Sequence, residues 1–310
     1  RSLDLIDFSN RHFYGGKLKL LPDYTVVNSN EPGIEYLKVE GVWHNNTNTE
    51  EAFKVVDLLL YIVGSANSND VGVVTFNAKQ QQLILDKVDE VFTEQGLTWP
   101  SNWFVKNIEN VQGDEKDIII FSTAYAPDEN GKMTMQFGSL NLDGGDNRLN
   151  VAVTRAREKV IVVSSILRQQ LKVEETKNQG PKLLKSYMEY AYNVSEGNFQ
   201  SEASSSKQHG THWYLKYKMS HWLNEHIEGF EVTDELPFAD LTVKYQDQYK
   251  ALLITDDDLY FESPSIKDVH VYTPFTLSKK QWRFRGFFSR EWWSHREQLE
   301  ETILRIVEGS

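Results

Sequence analysis

The stretch RLNVAVTRARE, Arg148 to Glu158, aims arginines from a helix opened by small apolar residues, and VIVVSS (Val160 to Ser165) follows as a buried strand. Arginines at such an edge usually seek phosphate, which their planar fork of N–H donors fits. Upstream, ENVQGDEKDIIIFSTAY (Glu109 to Tyr125) sets a polar turn with Gly113 and an acid at Glu115 ahead of another buried strand. Asp240 and the run Asp256, Asp257 and Asp258 offer carboxylates of the kind that hold a divalent cation. KKQWRFRGFFSREWWSHR, Lys279 to Arg296, interleaves six Lys/Arg with aromatic residues against the single Glu291. The histidines show no metal spacing: His209 and His212 lie in a polar stretch, and His221 and His226 are five apart.

The elements that must position these residues alternate. LDLIDFS, EYLKVEG, VGVVTF, WFVKNI, DIIIFSTAY and KVIVVSSI read as strands, being short, β-rich and without helical spacing. Helices lie between them, the rhythm of a parallel sheet covered on both faces. EEAFKVVDLLLYIVGSA is the clearest, with Asn48 and Glu51 as a capping pair and Phe53, Val56, Leu60 and Val63 on one face. AKQQQLILDKVDEVFTEQG is a second, stopped by Gly96. At 197–210 apolar residues nearly vanish, which marks a linker. Beyond it, HWYLKYKMSHWLNEHI is expected to be helical, with Trp213, Tyr217, Met219 or Ser220 and Leu223 on one face. LTVKY and YKALLIT read as strands joined by a tight QDQ turn, and a last helix puts Leu299, Ile303 and Ile306 on one stripe.

The 310 residues suffice for two domains, and 40% hydrophobic content supplies a core for each. LLLYIV, Leu58 to Val63, is far too short for the roughly 20 residues of a membrane span, so a soluble protein without a membrane partner is expected. Zero cysteines exclude disulfides and thiolate metal sites and suit a cytoplasmic location. A net charge of −12 argues against binding polyanions by bulk attraction, so any nucleic-acid contact must be local. A start at Arg1 suggests a piece of something longer.

Singly, QGDEKD reads as a charged turn and TRARE as a solvated helix face. Their order is specific. VGVVTFNAKQ, then VQGDEKDII, then RLNVAVTRAR resembles the motif series in the second RecA-like domain of superfamily 1 DNA and RNA helicases. LIDFSNRHFYGGKL and NTEEA resemble the start of that domain. The likeness covers about residues 1–195 and narrows to a bacterial subgroup with a Vsr-like nuclease-fold domain at the C-terminus. The resemblance implies ATP and Mg2+ in a cleft shared with an N-terminal helicase domain of the same parent chain. It implies Arg155 as the arginine that neutralises the transferred phosphoryl group. Gln112, Gly113 and Glu115 would sense nucleotide, Arg148 and Arg157 would support the phosphate site or form ion pairs, and Thr75 and Asn110 would touch the nucleic-acid backbone. Gln80 also matches, with a structural role expected. G-x-x-x-x-G-K-[ST] is missing: GGKLKL and NGKMTM lack the earlier glycine and the Ser/Thr, so these residues alone should not hydrolyse ATP.

PFADLTVKYQDQYKALLITDDDLY, Pro237 to Tyr260, resembles the core hairpin of the PD-(D/E)xK nuclease fold, with Asp240 as its first acid. Thr255 stands where Vsr-like relatives carry glutamate, and no lysine follows. Asp240 with Asp257, or with Asp256, would hold magnesium; a solvated turn is the favoured alternative. Trp282, Phe284 and Trp292 are expected in the core, with Lys280, Arg283, Arg285 and Arg290 turned toward nucleic acid or an acidic protein face. The expectation is an α/β protein: a RecA-like parallel-sheet domain (1–196), a linker (197–210) and a smaller α+β restriction-endonuclease-like domain (211–310). It would belong to an ATP-dependent bacterial DNA helicase, acting on single strands or junctions. The alternatives are a non-motor binding module and a metal-dependent DNA endonuclease.

Overall fold

The computed structural model describes residues 2–29, 31–65, 69–133, 136–174, 176–198, 214–246 and 248–308, with Asp258 by its backbone alone. The expected linker from residue 199 onward, with His209, His212 and Trp213, lies outside the described residues. The chain divides into two compact units, one of 3–15 with 31–200, the other of 16–30 with 201–310. The second unit thus takes a segment from far upstream. Among the described residues no helix is long and apolar enough to cross a membrane.

Two helices precede the first strand: α1 (Leu3–Phe13) and the short α2 (Tyr24–Val27), which belongs to the second unit. The first unit continues with β1 (Ile34–Lys38), α3 (Thr49–Val63), β2 (Val71–Thr75), α4 (Ala78–Glu94), β3 (Phe104–Asn107), β4 (Lys116–Ser122), α5 (Gly145–Val153), β5 (Ala156–Ser164) and α6 (Gln179–Ser195). Its five strands form a parallel sheet in the order β1-β5-β4-β2-β3. Both faces are buried, which is why the strands read as unbroken apolar runs. Ile119, Phe121, Val160 and Val162 face α1, α5 and α6, while Ile120, Ile161 and Val163 face α3 and α4. The expected α/β sheet, and the smaller mixed sheet beyond it, are what the structure shows.

Three local readings are corrected. LDLIDFS is the body of helix α1, not a strand. Its apolar/polar alternation misleads because Asp4 and Asp7 are themselves buried: Asp4 accepts a hydrogen bond from Gly33 N at 2.7 Å, and Asp7 pairs with Arg11 at 2.6 Å. The buried stripe of α3 runs through Glu51, Ala52, Val55, Val56, Leu59 and Ile62, and Phe53 is exposed. In the second unit, helix α7 (Leu215–His226) buries Leu215, Met219, Trp222 and Leu223 and leaves Tyr217 outside; the stripe of the last helix closes on Val307, with Ile306 only partly buried.

After α7 come β6 (Phe230–Thr233), β7 (Leu241–Tyr245), β8 (Gln248–Thr255), α8 (Asp258–Phe261), a π turn (Asp268–Tyr272), α9 (Thr273–Lys279), β9 (Phe284–Phe287), α10 (Ser289–Ser294) and α11 (Arg296–Glu308). The sheet order is β6-β7-β8-β9, antiparallel through β8 with β9 added in parallel. α7 and α11 pack their apolar stripes on one face. The upstream segment is stitched in: Asn28 exchanges two hydrogen bonds with the Tyr249 backbone (2.7 and 3.0 Å), and Trp282 Nε1 donates to Pro22 O at 2.8 Å.

Candidate nucleotide and nucleic-acid sites

Arg155 stands between α5 and β5. Gly144 (φ 71°) turns the chain into the helix, and Gly145 is required next because a Cβ there would lie 2.0 Å from Leu140 O. Leu149, Ala152 and Val153 then bury α5 against the sheet. At the C-terminus of this helix the Arg155 guanidinium folds back, its Nε donating to Val151 O (2.8 Å) and its Nη2 to Thr154 Oγ1 (3.1 Å). The helix end favours a cation. Two of five guanidinium N–H groups are thus engaged. Among the described residues no carboxylate lies within 4.0 Å of Arg155.

The neighbouring arginines are tied differently. Arg157 pairs with Asp70 (3.2 Å) and Asp117 (2.9 Å), closing the starts of β2, β4 and β5. Arg148 Nη1 donates to the carbonyls of Ser139 (3.3 Å) and Asp143 (3.0 Å), bracing the loop ahead of α5.

The QGDE turn lies directly beside Arg155. Lys116 N donates to Arg155 O at 3.1 Å, and Lys116 is in register with Ala156. Gly113 supplies a positive φ of 88°, accessible at low cost only to glycine. Lys106 anchors the turn through Asp114 at 2.6 Å and leaves Gln112, Gly113 and Glu115 exposed. The structure therefore brings Gln112, Gly113, Glu115 and Arg155 to the ends where the parallel strands begin.

Thr75 and Asn110 sit at the opposite ends. Asn110 is exposed on a 3₁₀ turn after β3. Thr75 is fully buried, its hydroxyl donating to Asn77 O at 2.9 Å, so its side chain is given to the turn that opens α4. Gln80 has the structural role expected: its side chain accepts from Asn48 N (2.8 Å) and donates to Asn48 O (2.9 Å) and Ser122 Oγ (3.0 Å).

The polar centre missed from sequence is Glu51. Asn48 does cap α3, its Oδ1 accepting from Glu51 N at 3.2 Å. The Glu51 carboxylate turns inward, with no solvent exposure, and accepts from Ala124 N (2.7 Å), Ser165 N (2.9 Å), Ser122 Oγ (2.9 Å), Thr123 Oγ1 (3.3 Å) and Asn48 Nδ2 (3.3 Å). Burial pushes its carboxyl up to about 7, against the downward pull of the hydrogen bonds from Ala124, Ser122, Ser165 and Thr123. A signal was present: Glu51 falls on the helical stripe of Val55, Leu59 and Ile62.

In the second unit the acids hold the backbone. Asp257 accepts from Leu215 N (3.0 Å) and Lys216 N (2.8 Å) at the start of α7, and from Thr255 Oγ1 (2.7 Å). Asp256 takes Ser289 N and Oγ at 2.7 to 3.0 Å, opening α10. Asp240 accepts from Thr255 N at 2.7 Å, and burial pushes its carboxyl up to about 6, helped by the charge of Asp257. Thr255 thus joins the acids expected to hold magnesium, but three hydrogen bonds already occupy Asp257. No group of three or more His, Cys, Asp or Glu among the described residues is placed to hold a metal. These donors do not fit a magnesium-dependent cleavage centre.

Of the basic aromatic stretch, Trp282 and Trp292 are buried and Phe284 is half-buried; Arg283, Arg285 and Arg290 are exposed. Lys280 is half-buried and lies 3.6 Å from Asp23.

A parallel α/β domain with an arginine and a glycine turn at one sheet edge is the class these features define. The family described as "AAA domain" matches residues 2–166, and the chain belongs to it. Relatives include the uncharacterized ATP-dependent helicase MG140 of Mycoplasma genitalium, 34% identical over 61% of this chain and 17% of that protein. Its homologue in Mycoplasma pneumoniae is 32% identical over 64% of this chain and 18% of that protein. A probable RNA helicase, armi, of Drosophila melanogaster is 30% identical over 39% of this chain and 9% of that protein. The chain spans less than a fifth of the length of these relatives. A crystal structure of the C-terminal domain of a possible DNA helicase from Lactobacillus plantarum covers 53% of this chain and 84% of that chain, at 13% identity and a TM-score of 0.32.

Proposed function

We propose that this chain is part of an ATP-driven, cytoplasmic nucleic-acid motor of the superfamily 1 helicase type. Its first unit is the second RecA-like domain (about 1–196), and its second unit is a nuclease-shaped module that binds or positions the strand. The observation that carries the reading is the Lys116 N to Arg155 O hydrogen bond, which sets the exposed QGDE turn beside an arginine with no carboxylate partner among the described residues. Magnesium-bound ATP would supply the phosphoryl group whose transfer drives movement. Arg155 would neutralise the charge that develops on it, Gln112 and Glu115 would read the nucleotide, and Arg148 would hold the loop beside them. The G-x-x-x-x-G-K-[ST] loop is not among these 310 residues, so ATP must be held jointly with another domain of the parent chain. Asn110 belongs to the strand-binding side together with Arg283, Arg285 and Lys280. The mixed sheet of the second unit and the position of Asp240 support the nuclease-like shape; the hydrogen bonds on Asp257 argue for binding without cleavage.

The test is ATP hydrolysis by the parent polypeptide extended upstream, with and without single-stranded DNA, comparing wild type with Arg155→Ala. Strand-stimulated turnover that collapses in the variant supports the motor. Turnover unchanged by the substitution, or absent from the extended protein, sinks it.

A further inference from the structure

Against one face of the second unit's sheet lies a cleft of about 250 Å³. It is lined by Ile254 and Gly286, adjacent on β8 and β9, by Val269 and His270 of the π turn, and by Tyr260 and Phe288. That volume is below the roughly 300–1,000 Å³ of pockets for drug-sized ligands. It suits one planar ring system.

We propose that this cleft takes a single unstacked nucleobase, an inference that rests on the reading of the second unit as a nucleic-acid-binding module. His270 and Phe288 are nearly parallel (14°) with ring centres 6.5 Å apart, close to twice the ~3.4 Å rise between stacked bases. Tyr260 stands edge-on to both, with its hydroxyl 3.1 Å from His270 Nε2, so the slot has two flat walls and a polar end. Gly286 leaves it open: a Cβ built there meets nothing within 4 Å.

Charge favours a polyanion over an apolar side chain from a protein partner. The chain carries −12, yet Arg283, Arg285 and Arg290 around the cleft are exposed and form no ion pair among the described residues. By contrast, Arg296 nearby is paired with Glu300 at 2.7 Å. Arginines left without carboxylates beside stacking rings combine the backbone-tracking and base-stacking parts of a single-strand site. Such a site tolerates any base, because every base presents a π face.

The experiment measures binding of the 310-residue chain to a fluorescent oligothymidylate, to an abasic strand of equal length, and to a strand carrying 2-aminopurine. Three variants are compared: Gly286→Trp to fill the slot, Phe288→Ala to remove one exposed wall, and Arg283→Ala/Arg285→Ala to remove charge. The expected result is about tenfold weaker binding of the abasic strand by wild type. Gly286→Trp and Phe288→Ala should weaken the oligothymidylate to the abasic level, leave abasic binding unchanged, and abolish 2-aminopurine quenching. The arginine variant should weaken both strands. If both slot variants bind the oligothymidylate like wild type while the arginine variant does not, the base pocket is wrong and the nucleic-acid module stands. If no strand binds wild type, the module reading itself fails and an apolar protein contact becomes the occupant to seek.

Discussion

The parallel sheet has two polar ends that differ in kind. Where its strands begin, Arg155 has no carboxylate partner among the described residues, and Gln112, Gly113 and Glu115 are exposed on a turn held only from behind by Lys106 and Asp114. Where they finish, Glu51, Asn48, Gln80, Ser122, Thr123 and Ser165 satisfy one another in a network closed to water. The first end keeps donors for something outside itself; the second has spent them on holding α3, α4 and the strand ends together. Substitutions at the first should change activity with little effect on stability, and at the second the reverse.

The largest effect expected is on turnover. Arg155→Ala in the upstream-extended protein should lower strand-stimulated ATP hydrolysis by about 10³ to 10⁵, the range for such an arginine. Its urea midpoint should stay within experimental error of wild type, since the lost contacts are two local hydrogen bonds. A comparable loss of stability would erase the distinction between the two ends.

Glu51→Ala should act in the opposite sense. It strands five buried donors, a cost on the order of 3 kcal/mol or more, read as a lowered urea midpoint of the first unit. A midpoint within about 0.5 kcal/mol of wild type would mean that water or rearrangement replaces the carboxylate.

The same residue sets a pH dependence. Its folded carboxyl lies near 7, above an ordinary value of 4.5, so between those values the folded state holds a proton that the unfolded state has lost. Stability from this group is fully present below about pH 4.5 and falls as pH rises to about 7, by on the order of 3 kcal/mol. Asp240, raised from 3.8 to about 6, has the same sign in the second unit. In Glu51→Gln the first unit's unfolding midpoint should vary less between pH 4.5 and 7; equal slopes in both proteins would remove Glu51 as the source.

The two ends were unequally legible in the sequence. The arginine and glycine turn stand in contiguous motifs, and the strands that deliver them are short apolar runs whose pattern follows directly from burial on both faces. Glu51 was visible only as half of a cap, because its five donors come from α3 and from the ends of β4 and β5, over seventy residues away and more. Phe53 attracted the buried stripe by being large, yet the helix turns it outward, beneath the Lys87 ammonium at 5.3 Å. Asp4 and Asp7 hid α1 in the same way: a polar residue buried by tertiary contact breaks the pattern on which the reading depends. Asp257 gave no sign of its partners, since the start of α7 reaches it from forty residues upstream.

Arg157 gives the smallest effect and the sharpest control. It lies two residues from Arg155 in the same motif, so proximity alone would assign it a share of the phosphate chemistry. Its guanidinium instead faces Asp70 and Asp117, and its side chain is 44% exposed. Ion pairs so open to water contribute little, typically under about 1 kcal/mol, and less in high salt. Arg157→Ala should therefore shift the urea midpoint slightly and leave ATP turnover within about threefold of wild type, far from the loss expected at Arg155. If turnover falls as far in Arg157→Ala as in Arg155→Ala, the ion pairs must open during the reaction cycle, and the open end would act through two arginines.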